Sequence, residues 1–257
     1  MGRRTLLRAA AAAVPSAAVA GCTLPPATPD PSSAAGSAAR LTARPPASGA
    51  TAALAPGLHT LDLGPGPEVL LHVPADQGGG PPARLVLTLH GAGGTARGGL
   101  APLLGLAEAN RLLLLAPTSH GTTWDAVTGA WGADIRRIDQ ALTRVFAAHP
   151  VDAARLAVGG FSDGASYALS MGLANADLFT HVIAFSPGVI AVGPRVGTPS
   201  VYISHGLADR VLPIDGTTRR IVAQLDAADV PTELRVFDGP HTVPADIAEG
   251  AVRWLLG

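Results

Sequence analysis

The sequence is short of several things, and each shortage closes off a class of protein. It has one cysteine, Cys22, in 257 residues, which excludes an intrachain disulfide framework and a cysteine-rich zinc site. No apolar run reaches the roughly 18 uninterrupted residues expected of a membrane-spanning helix, so a protein of several membrane-spanning helices is not expected. Neither sign of charge dominates: 18 basic residues stand against 19 acidic ones, a formal net charge of -1. That balance leaves no electrostatic footprint for nucleic acid. Lysine is absent and every cation is an arginine, a bias with little mechanistic weight. What is plentiful is glycine (31), proline (23) and apolar side chains (47%), enough for one sizeable globular domain with an appendage.

The appendage is at the front. Arg3, Arg4 and Arg8 make a positive start to residues 1–22, and Ala9 to Ala20 is a mildly apolar stretch ending in small residues, the pattern of an export segment. Arg3-Arg4-Thr5-Leu6-Leu7-Arg8 resembles a twin-arginine export signal, and Val19-Ala20-Gly21-Cys22 resembles a bacterial lipobox, whose cysteine becomes lipidated and N-terminal after cleavage. The resemblance implies a lipoprotein on the outer face of the bacterial cytoplasmic membrane, touching the membrane through a lipid anchor on Cys22 only; the alternative is an ordinary secretory peptide with an incidental cysteine. Without Arg3, Arg4 and Arg8 the chain keeps 15 arginines against 19 acids, about -4. From Thr23 to Ala50, 23 of 28 residues are Ala, Pro, Ser, Thr or Gly, with no periodic apolar pattern to bury. Residues 23–57 are therefore expected to be a disordered tether, its Pro-rich part spanning up to roughly 85 Å, and residues 58–257 the folded domain.

Within that domain short β-type runs alternate with helical patterns. Glu68–Val73, Arg84–His90, Arg111–Ala116, Arg155–Phe161, His181–Ser186, Ser200–His205 and Glu233–Asp238 read as strands. Leu85 to Leu89 and Leu112 to Leu115 are nearly continuously apolar, as expected of strands covered on both faces. Ile135, Ile138, Leu142, Val145 and Phe146 fall on one helical stripe, with Arg136, Arg137 and Arg144 elsewhere. Further helices are expected over about Gly164–Asn175, Gly216–Ala228 and Pro244–Leu256. The order implies an α/β fold, a mostly parallel sheet with helices on both faces that binds ligands at the carboxyl ends of its strands.

Chemistry-bearing residues collect at those strand ends. Gly160-Phe161-Ser162-Asp163-Gly164 fits G-x-S-x-G where a strand turns into a helix, which would hold Ser162 in a strained turn with its hydroxyl projecting above the sheet. A helix-start serine capping its own helix is the bland alternative. A serine nucleophile needs a base, and the base needs an acid to fix its tautomer. Of the later histidines, His181 starts a strand and His205 ends one; His241, in the Gly-Pro-flanked loop after the last strand, is the candidate base. Asp209, after the Ser200–His205 strand, is the candidate acid, with Asp215 and Asp238 as weaker competitors. The loop His90-Gly91-Ala92-Gly93-Gly94 would supply an oxyanion donor, assigned to the Ala92 amide with Gly93 as its alternative, and the Asp163 amide supplies the other. His90 itself reads as a loop-stabilising residue. Gly91 to Ala96 also fits a dinucleotide-binding fingerprint, but the next strand ends in Leu114-Leu115-Ala116-Pro117 without the acid that fingerprint requires. His120, Trp124 and Trp131 follow the Leu112–Ala116 strand and are candidates for a substrate pocket; a Trp there can equally be a packing anchor.

Together these elements resemble the α/β-hydrolase superfamily, in particular its small bacterial esterases of the phospholipase/carboxylesterase type and the related polyester-depolymerase and feruloyl-esterase group. The resemblance covers about Leu70 to Leu256 and implies Ser162 as nucleophile, His241 as base and Asp209 as acid of a carboxylic ester hydrolase. It implies no metal and no organic cofactor, and a small-molecule or polymeric ester as substrate. Asp163 departs from the Gln, Met or Ala common after the nucleophile in relatives. Only about a dozen residues separate the strands ending at Ser186 and starting at Ser200, so no large cap domain is expected and the site should be shallow. A thioesterase of the same mechanism, and a non-catalytic surface lipoprotein that keeps the scaffold for binding, are the competing readings.

Overall fold

Apolar strand-length runs separated by amphipathic helices can bury both kinds of surface by layering, and the computed structural model is layered in that way. It describes residues 1, 38–46, 53–75, 82–191 and 193–257. Cys22 and the export segment after Met1 lie outside the described residues, as do 23–37 and 47–52 of the expected tether. The strands are β1 (Gly57–Thr60), β2 (Val69–Val73), β3 (Arg84–Leu89), β4 (Leu112–Pro117), β5 (Ala157–Phe161), β6 (His181–Phe185), β7 (Ser200–Gly206) and β8 (Thr232–Phe237). The helices are α1 (Ala96–Asn110), α2 (Asp125–Thr128), α3 (Ala133–Ala148), α4 (Asp163–Ala174), α5 (Thr218–Asp226) and α6 (Ala245–Leu256).

One sheet runs in the order β1-β2-β4-β3-β5-β6-β7-β8. Its first two pairings are antiparallel and the rest are parallel. Alternate side chains of each strand go to opposite faces. Leu85, Leu87, Leu89, Leu113 and Leu115 join α3, α4 and α5 in one core. Val86, Leu112 and Leu114 join α1 and α6 in the other. Among the described residues the β6–β7 connection holds no helix or strand, so nothing there amounts to a cap.

Three parts of the fold depart from the sequence expectations. The strand β1 and the helices α1 and α2 have no counterpart in the sequence pattern. Helix α1 contains Gly98, Gly99 and Pro102, poor helix formers in the abstract. A side chain on Gly99 would come within 2.9 Å of the Thr88 carbonyl, so the close packing of α1 on β3 decides the matter. The expected tether is corrected over residues 38–46, which dock on the domain. Ala39, Leu41 and Ala43 are buried, and Leu41 N–H donates to Asn175 Oδ1 while Asn175 Nδ2 donates to Ala39 O. Arg40 and Arg44 both hold Asp177, whose pKa is pushed down to about 2, first by its hydrogen bond from Arg40. Finally, Arg137, off the apolar stripe of α3, is nonetheless buried, its guanidinium donating to the carbonyls of Leu63, Gly64 and Pro67.

Candidate active site

Parallel strands put their carboxyl ends on one edge of the sheet, and the loops leaving that edge carry every side chain singled out as a nucleophile, base or acid. Strand β5 ends at Phe161 and α4 begins at Asp163, so Ser162 alone makes the turn. It does so at φ 57° and ψ -120°, a left-handed conformation that costs a non-glycine residue roughly 1–3 kcal/mol. The strain is held by neighbours. Ser162 N–H donates to Phe185 O at 2.9 Å, and Gly164 passes so close to the carbonyls of Leu89 and His90 that any side chain there would collide with both. The serine is buried, with 9% exposure, and does not cap its own helix.

Asp209 lies three residues beyond β7, and both of its oxygens are engaged. Oδ1 accepts the amides of Val211 and Leu212, each at 2.9 Å. Oδ2 accepts His241 Nδ1–H at 2.6 Å, and His205 Nε2 lies 3.2 Å from the same oxygen. Burial works to raise the Asp209 pKa, but the Leu212 amide, the His241 contact and the Val211 amide outweigh it and hold the carboxyl below its ordinary value. With Nδ1 committed to Asp209, His241 Nε2 is its open nitrogen, without a hydrogen-bond partner among the described residues. Its ring packs on Phe161, the residue before the serine, at a centroid distance of 4.6 Å. Ser162, Asp209 and His241 are thus brought to one edge. Asp215 is an exposed partner of Arg219, and His181 sits at the opposite edge, in an edge-to-face contact with Trp254.

His205 is completely buried and bonded at both nitrogens. Nε2 faces two acceptors, Leu212 O at 2.7 Å and Asp209 Oδ2, so it carries the proton. Nδ1 then accepts from Thr218 Oγ1 at 2.7 Å. Burial pushes the His205 pKa down. In the sequence this histidine reads only as a strand-end residue, and the spacing His205-Gly206-Leu207-Ala208-Asp209 is its one available signal: a tight turn brings residues four apart face to face.

The glycine loop after β3 lies against the serine, for a side chain on Gly91 would come within 3.3 Å of Ser162 Cβ. Its amides are not equivalent. Gly93 N–H donates to Thr122 O at 2.6 Å and Gly94 N–H to Gly91 O at 3.0 Å. Ala92 N–H has no backbone acceptor among the described residues, and Asp163 N–H, first in α4, has none within its helix. Of the two amides named for the loop, Gly93 is the one already committed to a backbone acceptor. His90 receives Ser119 N–H on Nε2 and faces Gly91 O with Nδ1; burial lowers its pKa, so it is a neutral brace of the loop.

The aromatic candidates have a different place from the one expected of a pocket. Trp124 is fully buried and donates its indole N–H to His90 O at 2.8 Å. Its ring packs between His90 and Tyr167, and Trp131, also buried, packs on the far side of Tyr167. Of the two readings open for the tryptophans, Trp124 takes that of a packing anchor beneath the glycine loop, while Trp131 packs on Tyr167 and borders a small cleft with Ala38, Arg40 and Ile135. His120 keeps a half-exposed side chain with Nδ1 on Asp134 Oδ1 at 2.8 Å. Asp134 and Asp125 each accept the other's backbone amide, and Tyr167 O–H donates to Asp125. The Asp163 carboxylate accepts Thr123 Oγ1–H at 2.6 Å, tying the turn at Ser162 to the same loop.

No family model matches the chain, and no curated protein is similar to it. Solved structures are. The S-formylglutathione hydrolase of Staphylococcus aureus superposes with a TM-score of 0.62 at 14% identity, over 81% of this chain and 100% of its own. Acetyl xylan esterase from Aspergillus awamori gives 0.62 at 16%, over 77% and 98%. The phospholipase/carboxylesterase of Dyadobacter fermentans gives 0.56 at 21%, over 75% and 97%. The chain has the α/β-hydrolase fold.

Proposed function

We propose that the protein is a serine hydrolase of carboxylic esters, with Ser162 as nucleophile, His241 as base and Asp209 as the acid that orients it. One observation carries the reading: a strained, buried Ser162 shares a sheet edge with a histidine whose Nδ1–H is held by a fully engaged carboxylate. In the first step Ser162 Oγ attacks the ester carbonyl carbon and His241 Nε2 takes the hydroxyl proton. The tetrahedral oxyanion is received by the Ala92 and Asp163 amides, each such donor being worth about 3–4 kcal/mol. Collapse expels the alcohol, which leaves with the proton from His241. Water then attacks the acyl-enzyme with His241 again as base, the acid departs, and the proton returns to Ser162. Asp209 stays ionised throughout and stabilises the imidazolium.

The esterase names among the structural neighbours support the reaction class, and the absence of a cap among the described residues favours short-chain or extended, polymeric esters over buried long chains. The Asp163 carboxylate beside the site disfavours anionic substrates. We extend the proposal to place: export with a lipid on Cys22 would hold the domain at the outer face of the cytoplasmic membrane. The test is turnover of an aryl acetate, then of acyl esters of increasing length and one thioester, by the wild type and Ser162→Ala. Turnover falling with acyl length and abolished in the variant is expected. Full activity in Ser162→Ala would overturn the assignment. Globomycin-sensitive processing and labelled-palmitate incorporation lost in Cys22→Ser would support the anchor; their absence would refute it.

A further inference from the structure

The two edges of the sheet differ. At one end lies β1, four residues long. At the other lies β8, six residues in unbroken parallel register with β7 and without proline or bulge. Edge strands of this kind are templates for further pairing unless charges or covers blunt them. Among the described residues no strand covers the outer side of β8.

The direction of its backbone groups follows from the ladder. Val201 N–H donates to Pro231 O and Leu207 N–H to Phe237 O, each at 2.8 Å. Backbone groups of a strand alternate sides, so residues 231, 233, 235 and 237 face β7, and Thr232, Leu234 and Val236 turn their N–H and C=O outward. Leu234 and Val236 also expose 36% and 47% of their surface. Glu233 and Arg235, the remaining pair, point to the α6 face and bind each other at 2.8 Å.

We infer that β8 is a homodimer interface, pairing antiparallel with β8 of a second copy about a two-fold axis at Leu234. In that register Leu234 faces its own copy and Thr232 faces Val236, all outward-directed pairs that exchange both backbone hydrogen bonds. Glu233 then stands directly opposite Arg235 of the second copy, twice by symmetry. Charge fixes the choice. Moving the axis one residue toward the amino end sets Glu233 against Glu233, and one residue the other way sets Arg235 against Arg235, each a destabilising like-charge pair. The strand is thus self-complementary in hydrogen bonding, in charge and in its apolar residues in one register only. Along the α6 side of β8 runs a cleft of about 540 Å³ lined by Glu233, Arg235, Tyr202, Arg253 and Trp254, which the second copy's Arg235 would partly roof. Because the strands run oppositely, the two Ser162 edges face in opposite directions.

Sedimentation velocity of the full chain over about 1 to 200 µM tests the pairing. Concentration-dependent dimerisation is expected. Leu234→Pro removes an outward N–H that β7 does not use and should abolish it. Glu233→Arg and Arg235→Glu should each weaken it about tenfold by opposing like charges, and the double exchange should restore it. A monomer across the whole range overturns the inference. So does a dimer indifferent to the charge exchanges, which stand as the deciding test if Leu234→Pro does not fold; unchanged aryl acetate turnover shows that each variant is folded.

Discussion

Two histidines share one oxygen of Asp209, and they differ in everything else. His241 lies on a loop beyond the last strand, half-buried against Phe161, with one nitrogen bonded to Asp209 and the other open. His205 lies inside β7 with no exposed surface, both nitrogens bonded, and a pKa lowered by burial. A proton shuttle must gain and lose a proton within one turnover, which requires an open nitrogen and room for charge. A brace must do neither. In the proposed mechanism the same residue type therefore serves opposite ends beside one carboxylate, and exposure and hydrogen-bond count decide which.

The comparison can be broken most severely at the shared carboxylate. Asp209→Asn keeps one oxygen for the Val211 and Leu212 amides and turns its NH2 toward His241 Nδ1 and His205 Nε2, so His241 is driven to the wrong tautomer. A loss of about 10⁴ in kcat is expected, with the fold retained by circular dichroism. His205→Asn should be milder. It loosens Asp209 without touching substrate, so kcat should fall by about ten- to a hundredfold while KM holds; a rise in KM with kcat unchanged would place His205 in the substrate site instead. Asp163→Asn moves outside the pair. It removes a carboxylate beside the site and keeps the backbone amide, so kcat/KM for an anionic half-ester should rise about fivefold relative to a neutral ester, less at high salt.

The smallest effect is on stability. His205, His90, His149 and His181 all have pKa values lowered, chiefly by burial. The unfolded chain binds protons at these sites below about pH 6.5 while the folded chain resists, so the stabilisation is complete above that pH and drains away as the pH falls through the folded values. Asp209, also depressed, adds to the loss at lower pH as the unfolded carboxyl protonates near pH 4. Melting temperatures should therefore fall below about pH 6.5, and less steeply in His205→Asn.

What sequence can carry here is local. The apolar runs Leu85–Leu89 and Leu112–Leu115, the turn at Ser162 and the loops bearing Asp209 and His241 each announce themselves within a few residues, and strand direction then gathers them at one edge. Long-range pairings do not announce themselves. Residues 38–46 are poor in apolar side chains and read as tether, yet Leu41 meets Asn175 across 134 residues of chain and Asp139 accepts from Thr42 and Ala43. Trp124 offered no sequence signal separating a pocket wall from the anchor under His90 that it forms. The role of His205 depends on a turn that aims Asp209 back at it.

The most direct measurement is labelling of the folded protein by a fluorophosphonate, with the modified peptide located by mass mapping. Label is expected on Ser162 in the wild type, with much slower labelling in His241→Ala and none at that position in Ser162→Ala. Absence of label from folded wild type, or label that persists undiminished in His241→Ala, would contradict an activated nucleophile at this site.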